Sequence, residues 1–352
     1  MTERIKLLDK LTREADLTEK LEDGSVRCTA CAHRCLVREG KRGICRVRFN
    51  QGGKLMAPWG YVAGLQADPV EKKPFYHFLP GTIALTFGML GCNFHCDYCQ
   101  NWLSSQAGRD PASDQVIGQV ERISAEEIVT YAVHRGARLL ASSYNEPLIT
   151  SEWAAEVFKQ ANKAGMQCVM VSNGYATPQA LEYLSPVMQG YKIDLKSMQD
   201  KNYRQLGGVL QHVLDSIVKA HALGMWVEVV TLLVPGFNDS NEELWEMASF
   251  IKGVSAHIPW HITAFHQDYH MRDAQRTSAE SLMRAAEIGC EAGLRYVYAG
   301  NLPGMVDEYE TTFCHNCRTA LIKRRGFRVV ENRLTAEGTC PQCGTKAAGV
   351  WK

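Results

Sequence analysis

Eleven of the thirteen cysteines stand in three groups, and that distribution limits this chain more than any other feature. Cys28, Cys31, Cys35 and Cys45 come first, Cys92, Cys96 and Cys99 follow, and Cys314, Cys317, Cys340 and Cys343 come last. Such groups staple small secreted domains with disulfides, but in a large chain without an export signal they point to metal or redox chemistry. Here 352 residues, 45% of them apolar, suffice for a sizeable α/β core with appendages. The first 24 residues alternate in charge and lack an apolar export segment, so they read as a charged helix on a cytoplasmic protein. Cys168 and Cys290 stand alone in apolar or helical surroundings and read as packing residues.

The balance of 39 basic and 38 acidic residues excludes a general nucleic-acid or anionic-membrane surface. No apolar run approaches the roughly 18–20 residues that span a bilayer. From about residue 80 to 300, β-type apolar runs alternate with helical patterns, as a mostly parallel sheet requires. The runs lie at 82–90, 137–144, 166–174, 190–196, 225–234, 257–265 and 295–300. Ser124 with Glu127, Ser240 with Glu243 and Thr277 with Glu280 read as capping boxes, and Thr177-Pro178 as a further helix start. The expected fold is α/β, a partial or full (β/α) barrel. Its chemistry belongs on the loops after the strands' C-terminal ends.

The middle group, in "GMLGCNFHCDYCQN", follows the first of these strands. Thiolates are soft ligands for zinc or iron–sulfur clusters, and structural zinc takes four protein ligands. Three cysteines leave two readings: His95 supplies a fourth ligand to zinc, or a cubane cluster keeps one iron open for a substrate-like molecule.

Cys92-x3-Cys96-x2-Cys99, with Tyr98 before the last cysteine, resembles the signature of the radical S-adenosylmethionine (SAM) enzymes. The resemblance implies a 4Fe–4S cluster on these cysteines, SAM on the open iron, and a one-electron donor of the flavodoxin or ferredoxin type. Comparison with the pyruvate formate-lyase activating branch extends it. "YNEP" falls where that branch carries Gly-Gly-Glu, keeping Glu146 but neither glycine. "VSNG" resembles the next SAM-contacting turn, with Ser172 and Asn173, although Val171 replaces the branch's aspartate. "IDLK" supplies Asp194 and Lys196, and "TAFHQ" supplies His266. Tyr98, Glu146, Ser172, Asn173, Asp194, Lys196 and His266 are thus the implied cofactor contacts.

Cys314-x2-Cys317 and Cys340-x2-Cys343 form two pairs of the kind that hold a tetrahedral ion, with "KRRGFRVVENRL" between them reading as a β-hairpin. Zinc is the ion expected there, with rubredoxin-like iron second and thiol redox chemistry after it. Cys28-x2-Cys31-x3-Cys35-x9-Cys45 lacks two tidy pairs and suits zinc or a second iron–sulfur cluster. The chain thus divides into a helix and metal-binding segment at 1–57, a barrel at 58–305, and a zinc-ribbon or rubredoxin-like module at 306–352. "CTACAHRCLVREGKRGICRVR", "DPVEKKPFYHFLPG", the triad and the terminal "CPQCG…GVW" together resemble the AmmeMemoRadiSam-system radical SAM enzymes. That resemblance adds AMMECR-type and Memo-type proteins as candidate partners. Lys72, Lys73, Tyr76 and His77 either touch substrate or pack the entry segment.

The expected function is reductive SAM cleavage to a 5′-deoxyadenosyl radical that takes hydrogen from a small molecule or peptide. The alternatives are a glycyl-radical activase acting on a partner protein, and a non-catalytic iron–sulfur electron-transfer or zinc-dependent interaction protein.

Overall fold

The computed structural model describes residues 3–352. The chain divides into two compact units, one of residues 1–68, 83–191 and 204–225, the other of residues 69–82, 192–203 and 226–352.

In the first unit, β1 (Ile83–Gly88), β2 (Leu139–Ser142) and β3 (Gln167–Ser172) run parallel. Leu139 pairs with Ala84 on one side and Gln167 on the other. Nearly every residue of these strands is buried, as expected when helices cover both faces of a parallel sheet. The covering helices include α1 (Ala125–His134), α2 (Ser151–Lys163) and α3 (Pro178–Leu184). Ser124 and Glu127 close a full capping box on α1, and the Thr177 hydroxyl caps α3 by accepting from the Ala180 amide.

The N-terminal segment differs from expectation. Residues 1 and 2 lie outside the described residues, and Glu3–Lys10 form a 3₁₀ helix that ends long before residue 24. The short strands Thr12–Glu14 and Thr18–Lys20 follow it. Ala15 and Leu17 explain the change: they alternate with polar neighbours and bury against Val26, Cys28 and Leu55. A period of two is that of a strand.

The strand β4 (Gly190–Asp194) begins in the first unit and ends in the second. Within the second unit, β5 (Trp226–Leu233), β6 (Trp260–Ala264) and β7 (Val297–Gly300) run parallel, so each of the seven apolar runs contains a strand. Two helices, α4 (Asn241–Val254) and α5 (Ala279–Glu291), belong to this unit. The Ser240 hydroxyl caps α4, but the Glu243 carboxylate turns to Ser197 and the Met198 amide instead of completing a box. At α5 the cap is Ser278, not Thr277. The Thr277 hydroxyl is committed to the Leu233 carbonyl and the Phe265 amide, joining the ends of β5 and β6.

The segment at 68–81 proves to be an internal brace. Glu228, near the start of β5, accepts from the backbone N–H groups of Tyr76 (3.0 Å) and His77 (2.9 Å). It also accepts from the Trp226 indole and from His261 near the start of β6. The His77 ring bonds Tyr298 of β7 at 2.6 Å and the Ala348 carbonyl at 2.7 Å. Tyr76 and His77 therefore serve the strands' N-terminal ends, where barrel-type folds place stability rather than chemistry.

Candidate active site and metal centres

The β1 strand delivers the chain to a left-handed turn at Gly91, whose φ is +92°. A Cβ there would stand 2.9 Å from Val47 Cγ1 and 3.1 Å from the Cys45 carbonyl, so only glycine fits the approach. Beyond it, the Phe94 amide donates to Cys92 Sγ at 3.3 Å, and Cys99 Sγ lies 3.1 Å from the Ser105 hydroxyl. The loop is held by Arg109, whose guanidinium donates to the carbonyls of Ile44 (3.0 Å), Cys92 (3.1 Å) and Phe94. Burial, then the charges of Glu146 and Cys96, push the Cys92 thiol well above its ordinary range.

His95 is engaged elsewhere. Its amide donates to the Leu206 carbonyl at 3.0 Å, and its ring packs so closely on Gly207 that a Cβ there would fall 2.6 Å away.

The ends of β2 and β3 meet this loop through one polar network. The Glu146 carboxylate accepts from the amides of Leu148 (3.0 Å) and Asn173 (2.8 Å) and from the Ser172 hydroxyl (2.7 Å). The Ser172 hydroxyl accepts in turn from Tyr191 at 3.1 Å. The Asn173 side chain donates to Asn93 Oδ1 at 2.7 Å, closing the network onto the residue after Cys92. Asn93 Nδ2 is buried and has no partner among the described residues. Tyr98 is also buried, next to Cys99. Tyr144, at the first position of "YNEP", holds φ at +73°. The glycine-type backbone conformation thus persists where the resemblance has glycine and this chain has tyrosine.

In the second unit, Lys192, Asp194 and Lys196 share one side of an extended segment, as residues two apart do. Asp194 contacts Lys192, and Lys196 Nζ lies 3.1 Å from its other oxygen. Burial acts to raise this carboxyl, yet the two lysines prevail and hold it at about 2. The expected Asp–Lys pair is therefore a triplet. Asn238 fixes its backbone by donating to the carbonyls of Lys196 (2.8 Å) and Leu232 (2.9 Å). His266 follows β6, is exposed, and lies 3.2 Å from the Gln267 carbonyl.

The C-terminal cysteines form a second kind of site. The Cys314 and Cys343 sulfurs are 3.6 Å apart, as are those of Cys317 and Cys340, and all four lie within 4.8 Å of one another. Zinc–sulfur bonds of about 2.3 Å imply a tetrahedral edge of about 3.8 Å, so the set suits one mononuclear ion. The two turns repeat one construction. Cys314 N–H donates to the Thr319 carbonyl and Cys340 N–H to that of Thr345, while Arg318 and Gly344 N–H close back on the cysteine carbonyls. Arg318 and Gly344 occupy the same left-handed position. The expected hairpin is present as Ala320–Arg325 and Arg328–Asn332.

A model of the radical SAM superfamily matches residues 87–251, from β1 through the triad and the next strand ends. The chain is 37% identical to the uncharacterized protein MJ0808 of Methanocaldococcus jannaschii, over 95% of its own length and 98% of the relative's. It is 22% identical to the pyruvate formate-lyase-activating enzyme of Clostridium pasteurianum, over 57% of its own length and 87% of that enzyme's. The chain belongs to the radical SAM superfamily. Among solved structures, a domain of a pyruvate formate-lyase-activating enzyme from Bacteroides vulgatus aligns with 46% of the chain and 98% of its own, at 17% identity and a TM-score of 0.40.

Radical SAM membership implies a 4Fe–4S cluster and SAM, and the residues after β1 suit that pair. Three cysteines are one ligand short for structural zinc, and the orphaned Asn93 amide leaves a polar donor to satisfy. Spacing alone exposed the cysteines. Asn93, Ser105, Arg109 and Tyr191 escaped it, because they act through carbonyls, amides and single hydroxyls that no spacing rule marks. "GRD" after the triad, with its arginine, was the one available hint.

Proposed function

We propose that this chain is an enzyme that cleaves SAM reductively and abstracts hydrogen from a small molecule or peptide. The observation that carries the reading is the cysteine triad after β1, whose loop is bonded through Asn93 and Asn173 to the ends of β2 and β3. When bound, a 4Fe–4S cluster and SAM would supply the chemistry of one-electron reductive SAM cleavage, the source of the hydrogen-abstracting agent. Cys92, Cys96 and Cys99 hold the cluster. Asn93 offers its free amide to the ligand, Glu146 sets the turn against which the SAM amine lies, and Ser172 and Asn173 line that turn. Tyr98 covers the adenine side. By sequence resemblance, Asp194 and Lys196 are proposed to order the methionyl carboxylate or a nearby ion, and His266 is a further proposed SAM contact. No general base is needed for this first step, so the protein's work is orientation and water exclusion. The electron donor is of the flavodoxin or ferredoxin type.

A second reading, activation of a partner protein by forming a glycyl radical, is favoured by the similarity to pyruvate formate-lyase-activating enzymes. Partners of the AMMECR or Memo type follow from the sequence resemblance. The C-terminal cysteines hold zinc in a structural module.

The test is anaerobic reconstitution followed by incubation with SAM, a reductant and extract from cells grown in deuterated medium. Formation of 5′-deoxyadenosine carrying deuterium, absent with Cys96→Ala, supports the enzyme reading. Label arising only from a large protein fraction favours the activase, and no 5′-deoxyadenosine under any condition overturns both.

A further inference from the structure

The N-terminal cysteines remain outside the proposed chemistry, and their surroundings are built to a common plan. Each sulfur faces backbone N–H groups: Ala30 toward Cys28, His33 toward Cys31, Ile44 toward Cys35 at 3.5 Å, and Val47 with Arg48 toward Cys45. A ring of amide donors on sulfur is the environment of a thiolate ligand, and the C-terminal site shows it too, with the amides of Cys317, Thr319 and Thr345 on its sulfurs. A guanidinium completes the N-terminal set. Arg48 is fully buried, with Nη1 3.8 Å from Cys28 Sγ, Nε donating to the Ile149 carbonyl at 2.8 Å, and Nη2 on Glu152. Paired with the Glu152 carboxylate, this buried guanidinium still turns one nitrogen to Cys28 Sγ, where it would favour a thiolate.

The spacing of the sulfurs chooses the metal. Among the described residues, Cys314, Cys317, Cys340 and Cys343 form the one group of three or more ligands closing to within 4.8 Å of one another. Cys28, Cys31, Cys35 and Cys45 surround one another without closing that far. A single ion holds its four thiolates about 3.8 Å apart, whereas an iron–sulfide core stands between its thiolates and separates them, which suits the wider set.

The group also touches the triad loop directly. The Cys45 carbonyl and Val47 side chain are the atoms that forbid a Cβ at Gly91. Arg109 ties the Ile44 carbonyl to that of Cys92, and His33 Nε2 lies 3.0 Å from the Asn93 carbonyl. We propose that Cys28, Cys31, Cys35 and Cys45 bind a second iron–sulfur cluster, a one-electron carrier placed in packing contact with the loop that bears Cys92.

The test uses the full chain with Cys92, Cys96 and Cys99 all changed to Ala, reconstituted anaerobically with ferrous iron and sulfide in the presence of zinc. The proposal expects iron, sulfide and a reduced-cluster EPR signal to remain in this triple variant. The signal should vanish on adding Cys35→Ser, chosen because Cys35 is the least buried of the four and its loss least threatens folding. A circular dichroism spectrum matching the parent shows that the chain still folds. Iron and sulfide at background in the triple variant, or two zinc ions per chain, overturn the proposal. Wild type that makes no 5′-deoxyadenosine while the triple variant keeps its cluster sinks the function proposed above and leaves this inference standing.

Discussion

Asp194 is flanked by Lys192 and Lys196, and that arrangement sets both its charge and its pH dependence. The carboxyl is depressed from 3.8 to about 2, so its contribution to stability is fully present above pH 3.8 and is lost as pH falls toward 2. The side chain is 30% exposed, so solvent screening reduces the contribution to on the order of 1 kcal/mol. Asp194→Asn should lower the unfolding free energy at neutral pH by that amount. It should also flatten the stability profile between pH 4 and pH 2, both read in equilibrium urea unfolding. At this scale the sequence was informative wherever a residue type has few uses. Cysteine spacing located the triad and the C-terminal site, and the Asp–Lys spacing located two members of the triplet. Lys192 was missed because a lysine inside a strand reads as a solvated side chain. Arg109 and Asn93 were missed because their partners are main-chain or distant in sequence.

The elements were legible because burial on both faces makes each parallel strand a continuous apolar run. The N-terminal segment was not, since its strands are three residues long and their charged side chains mimic a helical surface. Helix starts were misread only where tertiary bonds compete, as at Thr277. Ser278→Ala should therefore destabilise α5 by about 1 kcal/mol. Thr277→Ala should cost more, about 1–3 kcal/mol, because two bonds joining β5 to β6 are lost from a buried site. Urea denaturation of the two variants side by side gives the order. Gly91→Ala combines a left-handed backbone with a clash against Val47 and Cys45. It should cost roughly 1–3 kcal/mol and lower the iron bound after reconstitution, measured by colorimetric iron and sulfide assay.

At the scale of the whole molecule, cysteine groups are joined to the fold towards both ends of the sequence. The tail after Cys343 returns through Ala348 and Val350 to His77, so the C-terminal site and the Glu228 brace share residues. A chelator that removes the C-terminal ion should expose Cys314 and Cys340, buried in the folded module, to thiol reagents. It should also lower the thermal midpoint, followed by differential scanning calorimetry. Unchanged thiol reactivity after metal removal would contradict a structural role for that ion. Sequence alone suggested two outer metal sites and put zinc first at the C-terminal one, but left the N-terminal metal open, because spacing along the chain does not report the distance between sulfurs in space.

The central claim is that the iron left without a protein ligand after β1 receives SAM. It is tested most directly by the EPR spectrum of the reduced, reconstituted Cys35→Ser chain, recorded with and without SAM. The account predicts that SAM changes the g-values of the triad cluster and that Cys92→Ala abolishes the signal. A reduced cluster whose spectrum is indifferent to saturating SAM would contradict it.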